Sequence, residues 1–271
     1  MKPNKMVRQD RRGVFVILGS IVFAAVMTGL FLAYHELRDI YLEQCVVEDF
    51  QSQVSITSGK MVKADVIAYE FGLRKGANLA LIDFPQKREE ILRKIPNLRA
   101  LTISRKLPDK VTIVAEERTP VARINVSGRK RTSGKVVDSE GVVFICQRGT
   151  SMLPTIYEPS SPGTQPGQKL KARALAALRL LEACRQMEFQ DLGVLDVDIS
   201  RQDFILATLG DYSRAKIAWE GMDEFNSESK KNLDVQLNVL VKAIRAKIVP
   251  GKIWNATIPG SVFMVPKGNV L

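Results

Sequence analysis

Among 271 residues there is one histidine, His35. It stands at the end of a long apolar run, away from everything downstream, which excludes a histidine-based catalytic triad in the folded part. Also missing are Gly-x-Ser-x-Gly, the phosphate-cradling Gly-x-x-x-x-Gly-Lys and Gly-x-Gly-x-x-Gly. Cysteine is scarce: Cys45, Cys146 and Cys184 form no Cys-x-x-Cys and have no metal-ligand spacing. In an oxidising compartment Cys146 and Cys184 could pair. The other reading is buried free thiols, because Cys184 lies on the apolar face of a predicted helix and Cys146 ends an apolar strand. Asp196 and Asp198, two apart on a predicted strand, face the same way; a solvated strand face accounts for them better than a carboxylate pair. No residue pattern calls for a cofactor or a metal, and none defines a catalytic site. The chain reads as a binding protein, not an enzyme, with no small-molecule substrate.

Charge is absent altogether from Val14 to Tyr34, VFVILGSIVFAAVMTGLFLAY. Crossing a bilayer takes ~20 apolar residues. A cleavable signal has an apolar core of only ~7–15, followed by a small-x-small site. Tyr34-His35-Glu36-Leu37 is no such site, so the segment reads as an uncleaved anchor in a lipid bilayer. Lys2, Lys5, Arg8, Arg11 and Arg12 precede it, and basic flanks stay in the cytoplasm. The expected layout is a cytoplasmic tail at 1–12, a transmembrane helix at 13–35 and a juxtamembrane segment at 36–49, with the remainder exported. Small residues stripe the anchor, Ser20, Ala24 and Thr28 on one line, Ala25 and Gly29 on another. Such stripes let membrane helices approach closely.

What is plentiful is positive charge: the net charge is +11. That surplus suits an anionic surface, or simply solubility. Nucleic-acid binding would need a basic surface with interleaved aromatics, acting outside the cytoplasm, and is set aside. The loop Arg129-Lys130-Arg131 reads as a solvated hairpin loop, with an anion grip as the alternative.

The exported part opens with a strand at 53–57, a helix carrying Val62, Val66, Ile67 and Phe71, and a second helix capped by Asp83 with Ile91, Leu92 and Ile95 as its stripe. Two alternating runs follow, 101–103 and 111–115, around Leu107-Pro108-Asp109-Lys110, a hairpin with Pro preset for its turn. Val54 and Ile56 are expected to be buried under Ile91 and Ile95. Pro120 cannot donate to a ladder and marks a boundary, giving domains at 50–119 and 120–271. In the second, strands are expected at 121–126, 135–145, 194–199, 204–209, 215–219, 253–258 and 261–265. Helices are expected at 172–189 and 232–247, and 154–167 reads as a loop or hinge. The fold class is α+β.

Taken in order, Val54-x-Ile56-x-x-Gly59, Gly76-x-Asn78-Leu79-x-x-Ile82-Asp83, Ile95-Pro96, Arg105 with Pro108, Glu117-Arg118-x-Pro120-Val121-Ala122 and Val137-Asp138-x-x-Gly141-x-Val143-Phe144 resemble a POTRA domain behind a single anchor. More narrowly, they resemble the FtsQ/DivIB family of bacterial division proteins. The resemblance implies a septal scaffold: single-pass in the inner membrane, N-terminus cytoplasmic, its exported domains binding small coiled-coil partners of the FtsB/FtsL kind. A POTRA-bearing accessory of envelope protein assembly or secretion is the alternative. Where the family tends to carry an Asp-Leu-Arg-Tyr-like strand, this chain has Trp254-Asn255-Ala256-Thr257. The partner surface is expected at the C-terminal edge, on Trp254, Val262, Phe263, Met264 and Val265. A second set, for a partner or for the domain junction, is Arg105, Pro108, Glu117, Arg118 and Pro120.

Overall fold

A computed structural model describes residues 7–106, 108–126, 134–159, 163–224, 226–246 and 253–265. Arg129, Lys130 and Arg131 lie outside the described residues, as do Lys2 and Lys5 of the basic tail. The chain is α+β and divides into two compact units. One comprises Met1–Thr57, Ala64–Lys87 and Thr102–Val114; the other Ser58–Lys63, Arg88–Leu101 and Ala115–Leu271.

The first unit begins with α1, Val7–Gln44. Its stretch Phe15–Gln44 is long and apolar enough to cross a membrane, with a mean hydropathy of 2.5 over its most apolar 18 residues. Its end is closed by a turn from further along the chain. Asn78 Nδ2 donates to Leu42 O at 2.8 Å, Leu79 N donates to Cys45 O at 2.9 Å, and Val47 N donates to Ala77 O at 2.8 Å. The first of these satisfies one of the carbonyls that a helix end leaves without partners. A single turn, α2 (Phe50–Gln53), leads into β1 (Val54–Thr57), and α3 is Ala64–Phe71. β1 runs parallel to β3 (Lys110–Glu117), Val54 opposite Val111 through Thr57 opposite Val114. Between them in sequence come α4 (Phe84–Lys94) and β2 (Leu98–Lys106), and the sheet order is β1-β3-β2. Alternation in β3 buries Val111, Ile113 and Ala115, as a half-buried strand requires. Val54 and Ile91 are buried, whereas Ile56 and Ile95 are only half-buried, so the burial expected of these four is met by Val54 and Ile91 alone.

In the second unit a nine-stranded sheet has the order β12-β11-β10-β9-β8-β7-β4-β5-β6. Its strands are β4 (Ala122–Val126), β5 (Lys135–Val137), β6 (Val143–Ile145), β7 (Thr155–Glu158), β8 (Asp196–Asp198), β9 (Ile205–Thr208), β10 (Arg214–Ile217), β11 (Ile253–Ala256) and β12 (Phe263–Val265). Parallel neighbours need a crossover. Helix α5 (Ala172–Ala183) and a 3-10 turn at Met187–Leu192 carry the chain from β7 to β8, and α6 (Ser227–Ala246) carries it from β10 to β11. One face of the sheet makes the core. Ile124, Ile156, Val197, Ala207, Ala215 and Trp254 are paired strand to strand in one row and are all buried. The row beside it, Asn125, Tyr157, Asp198, Leu206, Lys216, Asn255 and Phe263, faces the other way.

Three expectations need correction. The segment 154–167 contains β7, a central strand flanked by β4 and β8. The helix expected over 172–189 stops at Ala183, so Met187 loses its phase and stands 87 % exposed while Phe189 and Leu192 are buried. Helix α6 starts at Ser227, earlier than expected, because Asn226 Oδ1 accepts the Ser229 amide at 2.8 Å.

Candidate functional site

The C-terminal edge is built by two short strands and their turn. β12 pairs antiparallel with β11 alone, Val265 opposite Ile253, Met264 opposite Trp254 and Phe263 opposite Asn255. No strand lies beyond it among the described residues. Trp254 is 3 % exposed and belongs to the core, and its indole Nε1 is buried without a hydrogen-bond partner. Val262 and Met264 pack partly against the same core. Phe263, on the opposite face, is 45 % exposed, Val265 is half-buried, and Ile258 in the turn is exposed. Of the five residues expected here, the structure therefore gives Trp254 to the interior and leaves Phe263 as the most accessible apolar side chain.

The second set divides between the units. Arg105 and Pro108 belong to the first, where Arg105 lies over the Phe84 ring at 5.3 Å. Glu117, Arg118 and Pro120 belong to the second. The Glu117 carboxylate accepts the amides of Lys60 at 2.9 Å, Met61 at 2.7 Å and Val62 at 2.7 Å. Gly59 makes room for it: a Cβ there would fall 2.1 Å from Glu117 Oε2. Arg118 Nε donates to Pro96 O at 3.1 Å, and its Nη1 donates to Asp138 Oδ2 at 2.5 Å and reaches Glu140 Oε2 at 3.4 Å. Glu-Arg-x-Pro thus works inside the second unit as a carboxylate cradle followed by a buried ion pair. Asp138, Arg118's partner, stood out in the sequence only within the Val137-Asp138-x-x-Gly141 pattern; an acid three residues before Gly141 is the signal for the amides of Glu140 and Val142 that its Oδ1 accepts.

On α1, Ser20 Oγ donates to Val16 O at 2.9 Å and Thr28 Oγ1 to Ala24 O at 2.8 Å. Both hydroxyls are satisfied within the helix, and Ala25 and Gly29 expose a smooth flank. The cysteines are free. Cys184 is buried, which pushes its thiol up to about 12, and Cys146 Sγ donates to Arg148 O at 3.4 Å.

A cleft of about 260 Å³ is lined by Arg179, Glu182, Trp219, Lys230 and Leu233. Burial, the largest cause, pushes the Glu182 carboxyl up against the pull of Arg185, Arg179 and Lys230. Neither a family model nor a curated protein matches this chain.

Proposed function

We propose that this chain is a non-enzymatic, single-pass scaffold of the bacterial division machinery, of the FtsQ/DivIB type, that holds a small membrane-anchored coiled-coil partner by strand addition on β12. The observation carrying the reading is the partly apolar edge at Phe263–Val265, which pairs with no further strand among the described residues. Edge strands offer unpaired N–H and C=O groups, and exposed apolar edges are usually covered. Support comes also from the order strand, helix, helix, strand, strand after the apolar helix, the order expected of a POTRA domain. The domains proposed at 50–119 and 120–271 meet in the link between β3, which ends at Glu117, and β4, which begins at Ala122, whereas the compact units divide after Val114. The N-terminus is cytoplasmic, the domains are periplasmic, and the site of action is the septum in the inner membrane.

The magnitudes say where affinity resides. Three residues of edge offer only a few main-chain hydrogen bonds, each ~0.5–1.5 kcal/mol net. A micromolar complex needs about 8 kcal/mol, so side-chain burial around Phe263 and Val265 supplies much of the rest. A fluorescent fusion to the full-length chain tests the reading. Concentration at midcell in dividing cells is expected; an even distribution around the envelope rejects it. Replacing Phe263 and Val265 together by Lys is expected to abolish co-purification with the source organism's FtsB-type protein, with thermal unfolding unchanged.

A further inference from the structure

We infer that Gln236, in the middle of α6, is the positioning residue that sets β12 in register and so presents the docking edge; the functional half of this inference rests on the scaffold reading above. Gln236 is 1 % exposed, and Leu233, Leu237 and Leu240, also buried, flank it on the helix. A polar amide in such a stripe must be satisfied by hydrogen bonds. Its Nε2 donates to Ala256 O at 2.8 Å, with Ile258 O at 3.1 Å and Ser261 O at 3.3 Å also in reach. Its Oε1 accepts the Gly260 amide at 3.0 Å. One side chain thus holds both arms and the tip of the connection between β11 and β12.

That connection needs holding. A two-residue hairpin turn fixes strand register by its own geometry. Here the chain passes from Ala256 to Phe263, and the only backbone bond that the connection makes within itself is Ser261 N to Ile258 O at 3.1 Å. Gly260, at φ +70, lets the chain turn without deciding where it returns. Only three residue pairs then tie β12 to β11. A slip by one residue would turn every side chain to the opposite face, taking Met264 out of the core and Phe263 into it. The Gln236 amide ties Ile258, Gly260 and Ser261 of the connection to a fixed point on α6 and so tells these registers apart; Leu at this position would continue the apolar stripe but lack those bonds.

The test uses the full-length chain in detergent micelles, with Gln236→Leu, Gln236→Glu and the Phe263→Lys/Val265→Lys double variant. Amide hydrogen exchange over 253–265 is expected to quicken about tenfold in Gln236→Leu, while β8 and β9 stay as protected as in the wild type. Unchanged exchange over 253–265 overturns the positioning role. Should Gln236→Leu lose protection everywhere, Gln236→Glu decides. Its buried carboxyl, when protonated, donates one bond again, so exchange over 253–265 is expected to slow on acidification relative to the wild type at the same pH, and an identical ratio at both pH values overturns the inference. Purified FtsB-type protein from the source organism is the binding probe. Wild-type binding with about tenfold weaker binding by Gln236→Leu supports the inference. Equal binding by the two, with loss in the double variant, overturns it and leaves the scaffold reading standing. Absence of binding by the wild type rejects the scaffold reading, and the exchange result alone then decides for Gln236.

Discussion

Replacing Arg118 by Met should destabilise the second unit more than most single changes. The Arg118 side chain is 14 % exposed and Asp138 6 %. Met keeps much of the apolar stem but removes the donors to Pro96 O and to the carboxylate. Asp138 is left buried with only the amides of Glu140 at 3.1 Å and Val142 at 2.8 Å. Breaking a buried pair from one side costs about 3–5 kcal/mol. The two surviving amide bonds place this case at the lower end, about 3 kcal/mol. Each kcal/mol moves the midpoint by about 2–4 °C in a domain of this size, so Tm should fall by roughly 6–12 °C. Calorimetry on the full-length protein in detergent measures it, with Asp138→Asn and the double variant completing a cycle. The double variant should melt clearly higher than the sum of the two single losses predicts, because the stranded charge has gone. A fall under about 2 °C for Arg118→Met, or strictly additive losses, would refute the reasoning.

Glu117→Ala strips the acceptor from three amides at 60–62; bonds to a charged group contribute about 1.5–3 kcal/mol each. Allowing for water reaching this exposed loop, the net loss should be about 3 kcal/mol by denaturant titration, and no change in midpoint would sink the cradle. Ala25→Arg, near the centre of the apolar run, should cost roughly 2.5–3.5 kcal/mol on insertion. Carbonate extraction should find part of the protein released, and full retention would argue against the span. For Glu182 the folded-state pKa lies above the unfolded one. Its protonated form therefore stabilises the fold, and stability should decline as pH rises from the ordinary glutamate range through the raised folded value, then level off. Glu182→Gln should raise Tm at neutral pH and flatten that decline; an unchanged pH profile would show that the carboxylate is solvated.

How much of this was legible follows from where the information sits. The absence of charge from Val14 to Tyr34 is a local property, and the helix is there. Alternation in Val111-Thr112-Ile113-Val114-Ala115 is local too, and it matches the burial of β3. β7 is different. Thr155-Ile156-Tyr157-Glu158 offers a single aliphatic side chain between Pro154 and Pro159, and only its neighbours β4 and β8 make it a strand. Gln236 could have been noticed as a polar residue inside the stripe of Leu233, Leu237 and Leu240, but its partners lie about twenty residues on and no periodicity reveals them. Trp254 alternates like a surface residue as readily as a core one; its register against Ala215 decides for the core.

The two ends of the nine-stranded sheet are treated differently. At β6, Val143 N donates to Gln168 O at 2.9 Å, Val143 O accepts Gly167 N at 2.7 Å, and Ile145 O accepts Asn97 Nδ2 at 2.8 Å. That edge is covered by the chain itself. At β12 no strand follows among the described residues, and the strand is short, three residues with Pro266 next in sequence. Short edges resist aggregation. The same shortness makes the edge a poor template for an arbitrary strand, since few backbone bonds can form. On the scaffold proposal, selectivity then lies in the side chains flanking the edge and in its register. This places Phe263 on the outer face and Gln236 behind the turn as the two positions where a single change should alter binding without unfolding the sheet.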